Sequence, residues 1–395
     1  MVRPYARPVW QPSSQMSLAR SLTIGIDARA AVEVPAGRGR VVRELLRALA
    51  AHDDSHNYIC YARERWQEPL DERFQWREIG ARDPWWHLRA ARVAQRECDV
   101  FLSSNSYLMP LFMRIPVVAI VYDLVTFDPE MLPNRRSAVI ERLTLGACVR
   151  RAAGVIAISQ ATADALVQRF PAAATRTTVA LLGSSAAHAA PVAEELLPEP
   201  GFVLAVGTLE PRKNLPRLVA AYVQLDAATQ ARHPLVVVGP VGWEAGETLD
   251  ALRSLGERAQ ILGHVSDAAI SELYRRCAVF CYPSLAEGFG LPVLEAMSAG
   301  AAVLTSNVSS MPEVGGEAVD YIDPTDVHSI AAGLTQLLAS PERRAELGAR
   351  AQLRAREFTW ARFGESTLAV LERVTGDGDS GQRQQLDQRA PATHV

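Results

Sequence analysis

Two glutamates flank a glycine-containing loop in the C-terminal half of the chain. Residues 284–300 have the sequence SLAEGFGLPVLEAMSAG. Glu287 lies in the predicted loop, Pro292 suits the first position of a helix, Glu295 lies about one turn inside that helix, and Gly300 suits its end. The unpaired N–H groups at a helix N-terminus favour an anion, while carboxylates accept hydrogen bonds from hydroxyl groups. A nucleotide sugar carries both kinds of group.

Two adjacent cations follow a predicted strand in the same half. Residues 207–215 have the sequence GTLEPRKNL, between a predicted strand at 202–206 and a predicted helix. Because parallel α/β sheets bind ligands at the carboxyl ends of their strands, Arg212 and Lys213 can neutralise a departing diphosphate there. The alternative is a solvated basic turn before the next helix. The glutamate-containing loop favours the functional interpretation, since functional groups cluster.

A glycine-containing stretch in the N-terminal half has a related pattern. Residues 35–40 have the sequence PAGRGR, after a predicted strand at 22–27. Gly37 and Gly39 allow close approach by a phosphate or a sugar. The stretch is not a complete G-x-G-x-x-G fingerprint, and an ordinary flexible loop explains it equally well.

Polar residues also follow other predicted strands. Asp123, in the sequence VYDL at 121–124, can orient or deprotonate an acceptor hydroxyl, although aspartate is equally common as a cap. His264 follows a predicted strand at 260–262, where its backbone can meet a nucleotide base or simply form a surface turn. Ser159 is predicted to be a helix N-cap.

Composition and charge exclude several classes of protein. The chain has 395 residues, a net charge of −3 and 48% hydrophobic residues, which favours a globular two-domain protein and argues against nucleic-acid binding. The five scattered cysteines favour a reducing compartment over a disulfide framework. No metal motif and no cofactor motif is evident in the sequence. There is no apolar run of 18 residues, so we expect a cytoplasmic protein without a transmembrane helix.

One basic segment complicates that localisation. Residues 134–151 are basic and partly amphipathic, so they can contact anionic lipid or a lipid-diphosphate acceptor at the inner face of a membrane. An ordinary helix with a solvated face is the preferred interpretation of this segment.

Strand-like and helix-like segments alternate along the chain, which predicts an α/β fold with mostly parallel sheets. We expect two Rossmann-like domains whose strand ends face a central cleft. The predicted divisions are a flexible leader at 1–20, an acceptor domain at 21–190, a linker at 191–200, a nucleotide-sugar domain at 201–360, a helix at 361–375 that returns to the first domain, and a disordered tail at 376–395.

The predicted elements are short and regularly spaced. The predicted strands are 22–27, 58–61, 74–79, 100–103, 116–121, 154–158, 178–182, 202–206, 235–238, 260–262, 279–282, 303–305 and 320–322. The predicted helices are 40–51, 161–170, 214–228, 268–276, 292–299, 327–339 and 361–374.

Taken together, these stretches resemble the family-4 retaining glycosyltransferases of the GT-B fold, across roughly residues 20–375. The sequence EGFGLPVLE matches the E-x₇-E pattern of that family, and GTLEPRKN is typical of bacterial mannosyltransferase-like members. The resemblance implies transfer of a hexose, with mannose from GDP-mannose as the first choice. It implies an acceptor that is a glycan or a polyprenyl-diphosphate-linked glycan, in surface polysaccharide biosynthesis.

The resemblance also implies roles for individual residues. Glu287 would contact hydroxyls of the donor sugar, Glu295 would bind the ribose, and Arg212 and Lys213 would hold the diphosphate without a metal. The donor-binding set it implies comprises Gly37, Gly39, Gly207, Thr208, His264, Gly288, Phe289, Gly290, Leu291 and Glu295.

This sequence departs from the family pattern at two positions. Many relatives have His-Asp where this chain has Tyr122 and Asp123, and many have Arg where it has Thr208. We therefore assign the cationic role to Arg212 and Lys213 and carry no histidine role over to Tyr122. Two other interpretations stay open at this point, a sugar-nucleotide epimerase of the same fold and a non-catalytic protein that binds nucleotide sugars or glycans.

Overall fold

A computed structural model describes residues 20–128, 135–184 and 197–387 of the chain. It contains two α/β domains, each built on one parallel sheet. The predicted leader at 1–20 lies outside the described residues except for its last residue, and so does most of the predicted linker at 191–200.

The N-terminal domain contains seven strands. Its elements are β1 Thr23–Asp27, α1 Arg29–Glu33, α2 Arg38–His52, β2 Asn57–Ala62, β3 Phe74–Glu78, α3 Trp85–Glu97, β4 Val100–Ser103, α4 Met109–Phe112, β5 Val117–Val121, α5 Arg135–Arg151, β6 Gly154–Ala157, α6 Gln160–Arg169 and β7 Thr177–Val179.

The C-terminal domain contains six strands. Its elements are β8 Val203–Val206, α7 Leu215–Tyr222, α8 Ala227–Arg232, β9 Leu235–Val238, α9 Gly246–Ser254, β10 Ala259–Gly263, α10 Asp267–Arg276, β11 Val279–Tyr282, α11 Leu291–Ser298, β12 Val303–Ser306, α12 Met311–Gly315, β13 Asp320–Ile322, α13 Val327–Ala339 and α14 Pro341–Ala355, followed by α15 Trp360–Asp387.

Both sheets have the doubly wound topology. The strand order is β3-β2-β1-β4-β5-β6-β7 in the first sheet and β10-β9-β8-β11-β12-β13 in the second, and every pairing is parallel. The chain direction across each sheet therefore reverses between β1 and β4, and again between β8 and β11. Open α/β sheets bind ligands beyond the strand ends at such switch points. The predicted α/β class with two parallel sheets is confirmed.

The strands are buried because helices cover both faces of each sheet. The central strands β5 and β11 are wholly buried, which explains their continuous apolar sequences VVAIV and VFCY. Four of the five cysteines are buried and Cys277 is half-buried, and all are free thiols. No helix of the described residues is both long enough and apolar enough to cross a bilayer.

The predicted helix at 214–228 is wrong in extent. Asn214 adopts a left-handed conformation with φ of 60°, so the helix begins only at Leu215 and ends at Tyr222. A separate helix, α8, then starts after Asp226, whose side chain accepts a hydrogen bond from the Thr229 N–H. Local capping therefore divides a segment that looks continuous in the sequence.

Other boundaries differ by small amounts. The strand predicted at 178–182 is β7, which ends at Val179, and α11 begins at Leu291, so that Pro292 occupies its second position. Gly300 lies just beyond the end of α11 with φ of +79°, in agreement with the prediction. The last helix continues to Asp387 and so enters the segment predicted to be a disordered tail.

Helix α15 follows the C-terminal domain in the chain but packs on the N-terminal one. It contacts α2, β4 and β6, and its buried residues Phe363, Val370 and Leu371 belong to the same apolar core as Leu45 of α2. The core therefore runs from one domain into the other.

Candidate active site

The cleft between the two domains contains a cavity of about 480 Å³. It lies where the loops after β8 and β11, at the switch point of the C-terminal sheet, face the N-terminal end of α2 and the loop after β5. Nearly all of the residues selected from the sequence line this cavity: Gly37, Asp123, Gly207, Thr208, Arg212, Lys213, His264, Glu287, Gly288, Phe289, Gly290, Leu291 and Glu295.

Gly39 does not line the cavity and is the one exception. It lies inside α2 and is buried, and a Cβ atom there would be 1.8 Å from the carbonyl oxygen of Val34 and 2.6 Å from that of Ala30. A glycine is needed here for close packing of the backbone beside α1. The expectation that Gly39 approaches a ligand is therefore corrected.

Glu287 forms one cluster with the basic pair. Arg212 Nη1 donates to Glu287 Oε2 at 2.6 Å, and Lys213 Nζ donates to Glu287 Oε1 at 2.7 Å. The hydroxyls of Tyr282 and Ser284 donate to the same Oε1 at 2.8 and 2.7 Å. The sequence predicts only that the two cations and this glutamate share a cleft. In the structure, Arg212 and Lys213 contact Glu287 directly.

The cluster fixes the protonation state of Glu287. Burial alone would raise the pKa of its carboxyl, but Lys213 and Arg212 outweigh burial and hold the pKa at about 2. Glu287 is therefore ionised at neutral pH. With three donors on Oε1 and one on Oε2, Oε2 retains capacity for one further hydrogen bond. Such a carboxylate can orient a ligand hydroxyl, and it is unsuited to donate a proton.

The cations retain limited capacity for a ligand. Arg212 also donates to Glu210 and to the Ala286 carbonyl, which leaves one of its five N–H bonds without a partner among the described residues. Lys213 Nζ donates to Tyr282 and Glu287, which leaves one of its three. Burial lowers the pKa of Lys213 in spite of Glu287.

Asn214 holds this basic turn in place. Its buried side chain donates to the carbonyl oxygens of Pro283 and Pro324, which follow β11 and β13. The backbone N–H of Leu285 donates to the Arg212 carbonyl at 2.9 Å. These bonds join the loop after β8 to the loop after β11, and so bring together two motifs that are far apart in the sequence.

The N-terminal end of α11 opens into the same cavity. Gly290 is its N-cap residue, with φ of +98°, a conformation that favours glycine, and a Cβ atom there would meet Met311 at 2.3 Å. The N–H groups of Gly290 and Leu291 donate no hydrogen bond within the described residues. They are available to an anion at the positive end of the helix dipole.

The N-terminal domain supplies a wall of arginines that the sequence interpretation overlooked. Arg38, Arg40 and Arg43 of α2 line the cavity. Arg40 forms an ion pair with Glu295, whose second oxygen accepts a hydrogen bond from the Tyr274 hydroxyl at 3.2 Å. Arginine in the first turn of a helix opposes the helix dipole, so the sequence RGR at a helix start was an available signal of a role beyond folding.

Asp123 both lines the cavity and caps the turn that follows it. It lines the cavity, and its Oδ1 accepts a hydrogen bond from the Val125 N–H at 3.1 Å. The neighbouring Tyr122 is buried, and its hydroxyl donates to the Ser104 carbonyl within the N-terminal domain. The ring of Tyr122 lies 5.2 Å from the guanidinium of Arg38.

Direct hydrogen bonds hold the two domains together beside this cavity. The Gly288 carbonyl accepts from Ser159 Oγ at 2.5 Å and from Thr162 Oγ1 at 3.0 Å, while Glu313 accepts from the Gln160 N–H at 2.9 Å. Ser159 is also the N-cap of α6, as predicted. No group of three or more metal-binding side chains occurs within the described ranges.

Two Rossmann-like domains that face each other across a cleft are the architecture of the GT-B class of glycosyltransferases. Two family models match the chain, "Glycosyltransferase Family 4" at residues 35–183 and "Glycosyl transferases group 1" at residues 191–354.

Individual relatives agree with this class. The chain is 34% identical over 284 residues to "O-antigen chain mannosyltransferase B" of Escherichia coli, covering 68% of this chain and 73% of that protein. It is 32% identical over 64% of its length to "Serotype-specific mannosyltransferase WbdA" of Escherichia coli, but spans only 33% of that longer protein. The chain belongs to the family-4, group 1 glycosyltransferases.

A solved structure supports the fold. HepE of Anabaena, crystallised in complex with UDP-glucose, superposes with a TM-score of 0.67, covering 91% of this chain and 100% of that one at 17% identity. The predicted family and its GT-B fold are confirmed.

Proposed function

We propose that the chain is a retaining mannosyltransferase that moves mannose from GDP-mannose to a hydroxyl group of a glycan acceptor. The observation that carries the proposal is the Arg212–Lys213–Glu287 cluster beside the open N-terminal end of α11, facing Asp123 across one cavity. The acceptor is a glycan or a polyprenyl-diphosphate-linked glycan of a surface polysaccharide.

The binding roles follow from the available donors and acceptors. The diphosphate lies against the N–H groups of Gly290 and Leu291 and takes the remaining N–H bonds of Arg212 and Lys213. Oε2 of Glu287 accepts a hydrogen bond from a sugar hydroxyl. The ribose binds Glu295, which requires Arg40 to yield part of its present contact.

The chemistry then depends mainly on electrostatics. As the bond between the sugar and the diphosphate breaks, an oxocarbenium-like centre develops on the sugar and negative charge develops on the diphosphate. Arg212, Lys213 and the helix end stabilise that charge where it forms. The departing diphosphate accepts the proton of the acceptor hydroxyl on the same face, which retains the anomeric configuration. Asp123 orients the acceptor from the opposite domain.

The geometry argues against a covalent role for Glu287. Four hydrogen-bond donors already surround its carboxylate, and two of them are cations. These contacts withdraw electron density from its oxygens and hold them in place. Orientation of the sugar is therefore the role that we assign to this residue.

The choice of mannose is supported by the names of the relatives. "O-antigen chain mannosyltransferase B" and WbdA are both mannosyltransferases of Escherichia coli by name. The complex of HepE with UDP-glucose shows that a protein of this fold accommodates a nucleotide sugar.

Donor binding and product formation test the proposal separately. In a thermal-shift screen of nucleotide sugars, GDP-mannose should raise the melting temperature more than UDP-glucose or GDP alone, because stabilisation follows the ratio of concentration to Kd. GDP-mannose and an α-mannoside acceptor should then yield an α-linked product by NMR. A β-linked product would contradict retention, an epimerised sugar without acceptor would indicate an epimerase, and binding without any product would indicate a binding protein.

A further inference from the structure

One face of α3 carries a stripe of arginines bounded by exposed apolar side chains. Trp85, Leu88, Arg89, Arg92 and Arg96 are all exposed. Their spacing of three or four residues places them along one side of the helix. The opposite side, with Trp86, Ala90 and Ala94, is buried against the sheet.

The guanidinium groups of this stripe have no anionic partner among the residues that the structure describes. Arg89, Arg92 and Arg96 form no ion pair with a described residue, and neither do the nearby exposed Arg82 and Arg114. The only carboxylate of α3, Glu97, is directed to Arg77 and to the Tyr61 hydroxyl. An open depression of about 700 Å³ lies along the stripe, between α3 and the residues that follow α4.

The apolar residues around the stripe are unusually exposed for their size. Trp85 is 64% exposed and Leu88 is 41% exposed, whereas the adjacent Trp86 is fully buried. Tryptophan and arginine together are typical of surfaces that insert between lipid head groups. There the indole ring contacts acyl chains while its N–H group faces water or head groups. Recognition of a nucleic acid or an acidic protein by charge alone would not need these exposed side chains.

A second helix of the same layer has the same property. Val139, Ile140 and Leu143 of α5 are 50%, 63% and 68% exposed, and α4 packs against both α3 and α5. Five of the ten large apolar side chains that are exposed in the described residues therefore lie on these two helices. This concentration on one layer indicates a common partner surface rather than scattered exceptions.

We infer that the outer surface of α3, extended by the exposed residues of α5, docks the protein on a bilayer that contains anionic phospholipids. Helices that connect parallel strands start at the carboxyl edge of the sheet, so Trp85 lies at the end of α3 nearer the cleft. Docking through this surface holds the cleft next to the membrane, where a lipid-linked molecule is presented. The inference does not depend on the identity of the donor sugar.

Vesicle co-sedimentation of the full chain tests the inference. The protein should bind vesicles of phosphatidylcholine mixed with phosphatidylglycerol, and should bind pure phosphatidylcholine far more weakly, with affinity falling as salt is raised. The triple variant Arg89→Gln/Arg92→Gln/Arg96→Gln should lose about 100-fold in affinity, since each basic residue at an anionic surface contributes roughly one factor of five. The matched control is Arg232→Gln/Arg253→Gln/Arg356→Gln, three exposed arginines of the C-terminal domain, which should bind like the wild type.

The apolar part of the surface is tested in the same assay. Trp85→Ala should weaken binding about tenfold, whereas Leu353→Ala, equally exposed on α14, should have no effect. Wild-type affinity in the arginine variant would overturn the inference. So would binding of the wild type to a DNA duplex but not to anionic vesicles. Stabilisation by GDP-mannose should be unchanged in the arginine variant, which separates this outcome from failure of the proposed function.

Discussion

At the scale of single residues, the positive charges of the site are paired with carboxylates and are not free. Glu287 and Glu210 neutralise Arg212 and Lys213. On the proposed function, a diphosphate would therefore bind mainly to the few remaining N–H bonds and to the end of α11. The cluster holds its cations rigidly, and rigid donors stabilise a developing charge without reorganisation. Precise placement therefore matters more here than net charge.

Replacement of Lys213 by alanine tests that placement. Lys213→Ala should lower kcat about 100-fold, because it removes one preorganised contact to the departing diphosphate. Arg212 still pairs with Glu287 in this variant, so the fold should survive. Steady-state kinetics and a donor-free melting curve measure the two effects, with Arg232→Ala as a control on an exposed arginine of the same domain. Unchanged kcat in a folded Lys213→Ala enzyme would remove this lysine from the mechanism.

The sequence identifies residue types better than it identifies their contacts. Glycines and charges after predicted strands pointed to the cavity because strand ends meet at one edge of a sheet. Contact between Lys213 and Glu287 depends on the left-handed turn at Asn214, and contact between Arg40 and Glu295 depends on how two domains close. Neither determinant is local in the sequence. Gly39 was misassigned because the sequence does not distinguish a glycine needed for close helix packing from a glycine that approaches a ligand.

At the scale of elements, α6 contacts both the loop before α11 and helix α12 of the other domain, and we expect closure of the cleft to depend on these contacts. The first two N–H groups of α6 have no partner within the helix and donate to Glu313 of the other domain. The hydroxyls of Ser159 and Thr162 donate to the Gly288 carbonyl. A helix N-terminus normally needs a local cap for these groups. Here the partner domain supplies part of it, so the end of α6 is completed only when the cleft is closed.

Gly288→Ala tests this closure. A Cβ atom at position 288 would lie 1.8 Å from the carbonyl oxygen of Tyr122 in the opposite domain, so the two domains cannot approach fully. Turnover should fall about 100-fold, as expected for misplacement of reacting groups by about 1 Å. Stabilisation by the donor should persist, and small-angle scattering should show a larger radius of gyration. Gly246→Ala, at a site with open space around it, is the control. Wild-type scattering and turnover in Gly288→Ala would show that this contact does not limit closure.

At the scale of the whole molecule, α15 joins the two domains a second time. The chain passes from the N-terminal to the C-terminal domain once and then returns through α15 to α2 and β6. The alternation of strands and helices predicted the strands of both sheets, because short continuous apolar runs between helix-like segments are typical of strands buried on both faces. The division of 214–228 into two helices was not predicted, since it is decided by individual cap residues.

Leu371→Ala tests how far α15 stabilises the molecule. Leu371 is fully buried in the core shared with α2, so its truncation should lower the free energy of unfolding by about 2–5 kcal/mol. Leu353→Ala, on the exposed face of α14, should change it by less than about 0.5 kcal/mol. Urea unfolding followed by circular dichroism measures both. Equal stability of the two variants would mean that α15 is docked only weakly.

The ion pair between Arg40 and Glu295 makes the N-terminal domain a tethered competitor for the site that the donor ribose would occupy. A ligand attached to the same chain is present at a high effective concentration, so it does not dilute away. The affinity observed for a donor is then its intrinsic affinity multiplied by the fraction of molecules in which Arg40 is not paired with Glu295. On the proposed function, occupancy by the correct donor would free a guanidinium at the cleft, whereas the ion pair neutralises both charges when the donor is absent.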